Sequence, residues 1–244
     1  MATPRFYCPQ GLAPHLTIEL PEALSHHALR VLRMKDGAAL VLFDGTGGEY
    51  PARLVVQGKR AQAAVGAFEP REAELAGSLT LVQGLATTDK MDWVIEKAVE
   101  MGVARVVPIA ADRSVLQLSG ERRDKRLAHW RRIAESAAEQ CGRNRIMQID
   151  APMSLAHWLE MPAQGLRLMC HPEAPDTLRS ALAGKPTHIS LIVGPEGGWS
   201  ESEMSLAAGG ADRLTPVRWG DRVLRTETAG IALAAACSAL MDWA

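Results

Sequence analysis

Net charge of either sign is missing from this chain of 244 residues, because 27 basic and 28 acidic side chains leave only −1. The chain as a whole therefore carries no electrostatic mark of a nucleic-acid partner, and any basic footprint must be local. Cysteine is scarce. Cys8, Cys141, Cys170 and Cys237 are scattered, with no CxxC pair and no Cys/His ligand spacing. Disulfides and metal sites are thus not expected, and a reducing cytoplasm fits. No uninterrupted apolar run approaches the roughly 20 residues of a membrane helix. Ile231 to Met241 is too short for one and reads as a buried helix. The opening MATPRFYCPQ lacks the charged and apolar regions of a signal peptide. Leu79 to Lys90 holds only Gly84, so no glycine fingerprint follows an early strand, and the G-x-x-x-x-G-K-[ST] phosphate loop is absent. Those two gaps disfavour a doubly wound methyltransferase or dehydrogenase and a phosphate-loop enzyme. Internal repeats and low-complexity tracts are absent too.

What remains is an ordinary globular composition, 47% apolar and 23% charged, in a length that suits one large domain or one large and one small. Residues 1 to about 72 read as a small β-rich domain. LTIEL, AALVLFD, EYPARLVV and AQAAVGAF are strand-like, with turns at Lys35-Asp36-Gly37 and Asp44 to Gly48. A short helix is expected from Ser25 to Met34, with apolar positions at helical spacing and basic ones between. Arg5, Arg30, Arg33 and Lys35 read first as a solvated face and second as phosphate contacts. The charged run Glu69 to Glu74 is the expected linker.

From residue 73 to 244 strand and helix alternate. LTLVQGL is a strand, Asp89 to Met101 a helix with one apolar face, and RVVPIA from Arg105 a strand. Arg122 to Cys141 reads as a long helix whose basic start, ERRDKRLAHWRR, is the strongest local positive charge in the chain. A solvated helix face is the default meaning of such a run, with RNA backbone contact as the alternative. Strands near 79, 105, 166, 189 and 213 with helices between give an α/β layer architecture.

One stretch organises this second part. Ile189 to Val193 is a short buried strand that stops at Gly194, and Gly194-Pro195-Glu196-Gly197-Gly198 follows as a loop. Ser200 and Glu203 stand at capping-box spacing, so a helix should begin there. Strand, glycine loop and capped helix make a ligand-binding corner of the sort found at the carboxyl edge of α/β sheets. As a bare pentapeptide the loop could equally be a tight turn. WGDRVLRTETAG then places Arg225 and Glu227 at the start of a helix running to about Met241, with Thr226 or a neighbour as its cap.

VGPEGGWSESE followed by GDRVLRTETAG closely resembles the RsmE family, SPOUT-type S-adenosylmethionine-dependent methyltransferases that modify uridine N3 in 16S ribosomal RNA. HHALRVLRMKDG, LFDGTGGEY and Arg5-Phe6-Tyr7 resemble that family's amino-terminal PUA-like β-barrel, and Glu139-Gln140-Cys141-Gly142-Arg143 its EQCxR motif. The resemblance implies a PUA-like domain over 1–72, a SPOUT domain with a carboxyl-terminal trefoil knot over 73–244, and a homodimer whose partner subunit completes the site. General fold rules alone would have argued against a knot. It implies a cofactor pocket of three walls: Met169, Cys170 and His171; Val193, Gly194, Pro195, Glu196, Gly197 and Gly198; and Trp219, Gly220, Val223 and Leu224, with Thr228 nearby. Arg225 is the candidate for stabilising charge on the uracil, and Glu227 either orients Arg225 or accepts the proton; the alternative is a structural ion pair at a helix start. Arg5, Arg30, Arg33 and Arg143 are the candidates for holding RNA, Arg143 being carried toward the active region. Trp199 departs from the family pattern, as do Val99 and Met101, all at apolar positions. Two rival readings are a SPOUT enzyme acting elsewhere, such as a ribose 2′-hydroxyl, and a non-catalytic RNA-binding protein.

Overall fold

A computed structural model describes residues 3–58, 60–209 and 214–244. The chain divides into two compact units, Met1–Glu74 with Ala138–Ile146, and Leu75–Ala137 with Met147–Ala244.

In the first unit β1 (Arg5–Tyr7), β2 (Thr17–Glu19), β3 (Ala39–Phe43), β4 (Tyr50–Gln57) and β5 (Arg60–Val65) form one sheet in the order β1-β3-β4-β5-β2. Only β1 pairs in parallel, with β3. Alternate residues of β4 and β5, among them Ala52, Leu54, Ala61, Ala63 and Val65, face a core shared with Phe6, Leu40 and Leu42. The expected helix starts earlier than its apolar spacing suggests. Pro21, whose fixed φ suits a helix entry, precedes α1 (Glu22–His26), and the chain then widens into a π-helical turn, His27–Val31. The Leu32 N–H donates to His27 O, five residues back, and Arg33 ends the segment with φ of 52°.

A polar cluster inside this unit takes two of the arginines expected to hold RNA. Arg5 donates from Nη1 to Glu49 Oε2 at 2.6 Å and from Nη2 to Asn144 Oδ1, and Arg71 reaches the same Glu49 oxygen at 3.1 Å. Arg143 is 3% exposed and forks onto Glu74, Nε to Oε1 at 2.9 Å and Nη2 to Oε2 at 2.6 Å. Bidentate guanidinium–carboxylate pairing is the strongest form of such a bond. Arg5 and Arg143 are therefore structural here. They tie 138–146 to the sheet and its linker, and a phosphate would have to break those bonds to reach them. Burial pushes the Glu49 carboxyl up, but Arg5, Asn144 and Arg71 outweigh it and hold it below the ordinary glutamate range.

The second unit is built on a seven-stranded sheet. Its strands are β6 (Ser78–Gly84), β7 (Arg105–Ile109), β8 (Gln148–Ile149), β9 (Leu166–Cys170), β10 (Asp176–Thr177), β11 (His188–Val193) and β12 (Thr215–Arg218). Their order is β10-β12-β9-β11-β6-β7-β8, and every pair is parallel. The strand expected near 213 begins at Thr215; Arg213 itself lies outside the described residues. Sheets of this kind are covered on both faces, which is why β6 and β11 are near-continuous apolar runs. The helices are α2 (Thr88–Glu100), α3 (Gly120–Cys141, its end from Ala138 counted with the first unit), α4 (Leu155–Glu160), α5 (Leu178–Ala181), α6 (Glu201–Gly209) and α7 (Thr226–Leu240). Helix α2 buries Met91, Val94, Ile95, Ala98 and Val99 along one stripe. Helix α7, rich in alanine, packs on β6, β11 and α2. Gly230 permits that approach, because a Cβ there would lie 2.9 Å from Leu81 Cδ1. On the other side Val82, Val107, Met169, Ile192, Trp158 and Trp199 form a core. Among the described residues no helix is long and apolar enough to cross a membrane.

Candidate active site

Strands β6, β9, β11 and β12 all end on one edge of the parallel sheet, where open α/β sheets place their ligands. Buried strand β11 feeds the glycine loop directly. The Gly198 N–H donates to Pro195 O at 2.9 Å, closing a turn in which Gly198 takes φ of 68°, a conformation other residues adopt at a cost. Gly197 is needed for space, since a Cβ there would sit 2.9 Å from Arg113 Cβ and 3.0 Å from Arg113 O. The capping box forms as its spacing predicts. The Ser200 N–H donates to Glu203 Oε2 at 2.8 Å, the Glu203 N–H donates to Ser200 Oγ at 3.2 Å, and α6 starts at Glu201. Ser200 Oγ also donates to Asp112 Oδ2 at 2.6 Å, which braces the loop after β7 against the same turn.

Thr226 joins this loop to α7. Its hydroxyl donates to Gly194 O and accepts from Gln83 Nε2 at 2.9 Å, so β6, β11 and α7 meet at one buried side chain. It does not cap the helix. The N-cap is Arg225, whose backbone O accepts the N–H groups of Thr228 and Ala229, each at 2.9 Å. The Arg225 side chain is left exposed, without an ion pair among the described residues.

These loops enclose a cleft of about 580 Å³, within the range typical of small-molecule sites. Cys170, His171 and Pro172 form one wall, and Val193, Gly194, Pro195, Glu196 and Gly198 the second. Trp219, Val223, Leu224 and Arg225 form the third. Ten of the fourteen residues expected to bind cofactor thus line it. The other four do not: Met169 is buried in the core, Gly197 is turned toward Arg113, and Gly220 and Thr228 lie on the exposed surface. Pro172, Trp199, Met204 and Ala229 line it without having been assigned there. Trp199 Nε1 is buried with no hydrogen-bond partner among the described residues, an unspent donor beside Gly194. Burial pushes the Cys170 thiol up, so this wall presents a thiol and not a thiolate at neutral pH.

Glu227 does not meet Arg225. Its carboxylate faces Lys90 of α2, with Oε2 3.2 Å from Nζ, and Lys90 also lies 3.2 Å from Glu196 Oε1. The approach to Glu227 is misaligned as a hydrogen bond, so its buried Oε2 keeps unspent acceptor capacity. The expectation that Glu227 orients Arg225 by direct pairing is therefore corrected. One ammonium instead bridges the glycine loop and the first turn of α7. Its contact with Glu196 first, and the charge of Glu227 beside it, hold Lys90 above the ordinary lysine range. For Glu196, burial pushes upward, but its own N–H, the Thr87 N–H at 3.3 Å and Lys90 prevail and hold it below the ordinary carboxylate range. Lys90 and Gln83 carry no motif of their own, and reasoning from the sequence missed both.

The family pattern for an RNA methyltransferase domain matches residues 73–238, and one for an RNA methyltransferase PUA domain matches residues 20–65. The chain is 35% identical to ribosomal RNA small subunit methyltransferase E of Mycobacterium tuberculosis, covering 83% of this chain and 79% of that protein. It belongs to the ribosomal RNA small subunit methyltransferase E family. The Synechocystis member of the family is 31% identical, covering 93% of this chain and 74% of its own length. A crystal structure of the methyltransferase E of Neisseria gonorrhoeae, bound to S-adenosyl methionine, superposes with a TM-score of 0.90 at 35% identity, covering 98% of each chain. The fold is accordingly α/β, a SPOUT-type methyltransferase domain with an amino-terminal PUA-like domain.

Proposed function

We propose that this chain transfers a methyl group from S-adenosylmethionine to N3 of a uridine in 16S ribosomal RNA, in the cytoplasm and as a homodimer. The observation that carries this reading is the cleft itself. Glycine loop, aromatic and aliphatic walls and a free guanidinium at the rim converge where Thr226 locks three elements together.

The residues present fit the cofactor. The cleft has the volume for a small ligand, its walls are apolar around backbone groups, and the buried Trp199 N–H awaits an acceptor. Gly194, Pro195, Glu196 and Gly198, with Cys170, His171, Val193, Trp219, Val223 and Leu224, would hold it. When bound, S-adenosylmethionine supplies a methyl carbon activated by a positive sulfonium. The chain then has to align the uracil and manage its N3 proton. As that proton leaves, negative charge spreads to O2 and O4 of the ring. Arg225, whose guanidinium is exposed at the cleft mouth, would stabilise it in this reading. Glu227 contributes from behind, through Lys90, by fixing the turn that carries Arg225. The first part of the chain, 1–72, holds RNA in this reading, with the exposed Arg30 and Arg33 as its contacts. Val223, 78% exposed at the cleft lip, is the apolar surface a partner subunit would cover in completing the site.

The test is methyl transfer from labelled S-adenosylmethionine to small ribosomal subunits lacking the modification, followed by digestion and separation of nucleosides. Label in N3-methyluridine supports the reading. Label in a 2′-O-methylated nucleoside would keep the fold and overturn the target atom, and cofactor binding with RNA binding but no transfer would favour a non-catalytic protein.

A further inference from the structure

The reading as an RNA methyltransferase leaves the basic start of α3 without a role. We propose that this face of α3, together with the first turn of α2, is an anchoring groove for the RNA backbone on the methyltransferase unit. The inference rests on the function proposed above and adds a place where the substrate strand is held. Arg122, Lys125, Arg126 and His129 line one wall of a groove of about 430 Å³, and Thr88 of α2 lies on the other. Their spacing of i, i+3, i+4 and i+7 puts them on one helix face, spread over about 10 Å of its length. Residues 122–132 hold six arginines and lysines against one acid, Asp124, in a chain whose net charge is −1. A face kept only for solubility would mix its charges.

The wall is rigid where it needs to be and free where a ligand would bind. Asp92 of α2 clamps the helix. Its Oδ2 lies 2.8 Å from His129 Nε2, and its Oδ1 accepts from Trp130 Nε1 at 3.1 Å and lies 3.5 Å from Arg126 Nη1. Trp130 is fully buried, so the register of α3 against α2 is fixed. One turn earlier Arg122 is exposed, with no ion pair among the described residues. Lys125 pairs with Glu121 at 2.8 Å, both widely exposed. Such a surface pair is worth little, and a phosphate can replace it.

Position favours RNA as the occupant. The turn that lends Thr88 to the groove also gives the Thr87 N–H and Lys90 to Glu196 on the cleft. A strand presenting a uridine at the cleft would run past a row of cations set on the neighbouring face of the same helix start. Guanidinium forks suit phosphate oxygens, and a backbone contact needs no base reading.

The test is binding of labelled 16S RNA to the full chain at several salt concentrations, for the wild type, Arg122→Gln/Lys125→Gln and Glu121→Gln. Both cations are exposed, so the double substitution leaves the core alone. With two fewer cations facing phosphates, the slope of log affinity against log salt should shrink by about 1.4. RNA affinity should fall at low salt and the KM for RNA should rise, while cofactor affinity by calorimetry stays at the wild-type value. Glu121→Gln, which frees Lys125, should tighten RNA. Affinity and slope equal to wild type in the double variant would overturn the groove. A wild-type chain that neither binds RNA nor transfers a methyl group would instead sink the functional reading, and the groove with it.

Discussion

Arg225 and Arg143 are chemically the same side chain and do opposite work. Arg225 sits at an N-cap with its guanidinium in solvent beside the cleft, while Arg143 is sealed against Glu74. Removing one donor that stabilises developing charge typically costs 10²–10³ in turnover, roughly 2.7–4 kcal/mol. Arg225→Ala should therefore lose methyl transfer on that scale while its melting temperature and cofactor affinity stay at wild-type values. Breaking a buried ion pair from one side costs about 3–5 kcal/mol. Arg143→Ala should accordingly show its effect in a denaturant midpoint. Arg30→Ala with Arg33→Ala, on exposed positions, should weaken RNA binding and leave that midpoint unchanged.

Among elements, the joint at Thr226 matters most, because a single hydroxyl serves β6, β11 and α7. Thr226→Val keeps the shape, removes one of the two acceptors of the Gln83 amide, whose other is Gly84 O, and takes the hydroxyl donor from the Gly194 carbonyl. A buried group left unsatisfied costs about 1–3 kcal/mol, so thermal stability should drop by that order and cofactor affinity should fall with it. The parts of this site that could be read in advance are local in sequence. Ser200 and Glu203 are three residues apart, and their capping box predicts the start of α6; likewise Ile189 to Val193 is buried on both faces and reads as a strand. Lys90 could not be read, since its partners Glu196 and Glu227 come from loops far along the chain and no periodicity links them. The same limit hid the role of Gly84, whose missing Cβ lets Pro195 pack 2.4 Å from where that atom would be. Two-residue strands such as β8 and β10 exist through tertiary pairing alone. Arg5 and Arg143 were legible as motif residues but not as structural ones, because Glu49 and Glu74 announce nothing locally.

For the whole molecule, the first unit draws in 138–146 from far along the chain, and Glu49, 6% exposed, holds that return together with Glu74. Its folded pKa is depressed, so its stabilisation is full above the ordinary glutamate range, near 4.3, and is lost as pH falls through the lower folded value. Stability of the wild-type chain should decline on acidification through that window, and Glu49→Gln should start lower at neutral pH and show a shallower acid slope. The most direct test of the proposed function is mass-spectrometric nucleoside analysis of 16S ribosomal RNA from cells lacking this gene, complemented with the wild-type chain or with Arg225→Ala. N3-methyluridine should be absent without the gene, restored by the wild type and not restored by Arg225→Ala. N3-methyluridine that persists without the gene, or returns with the arginine gone, would contradict it.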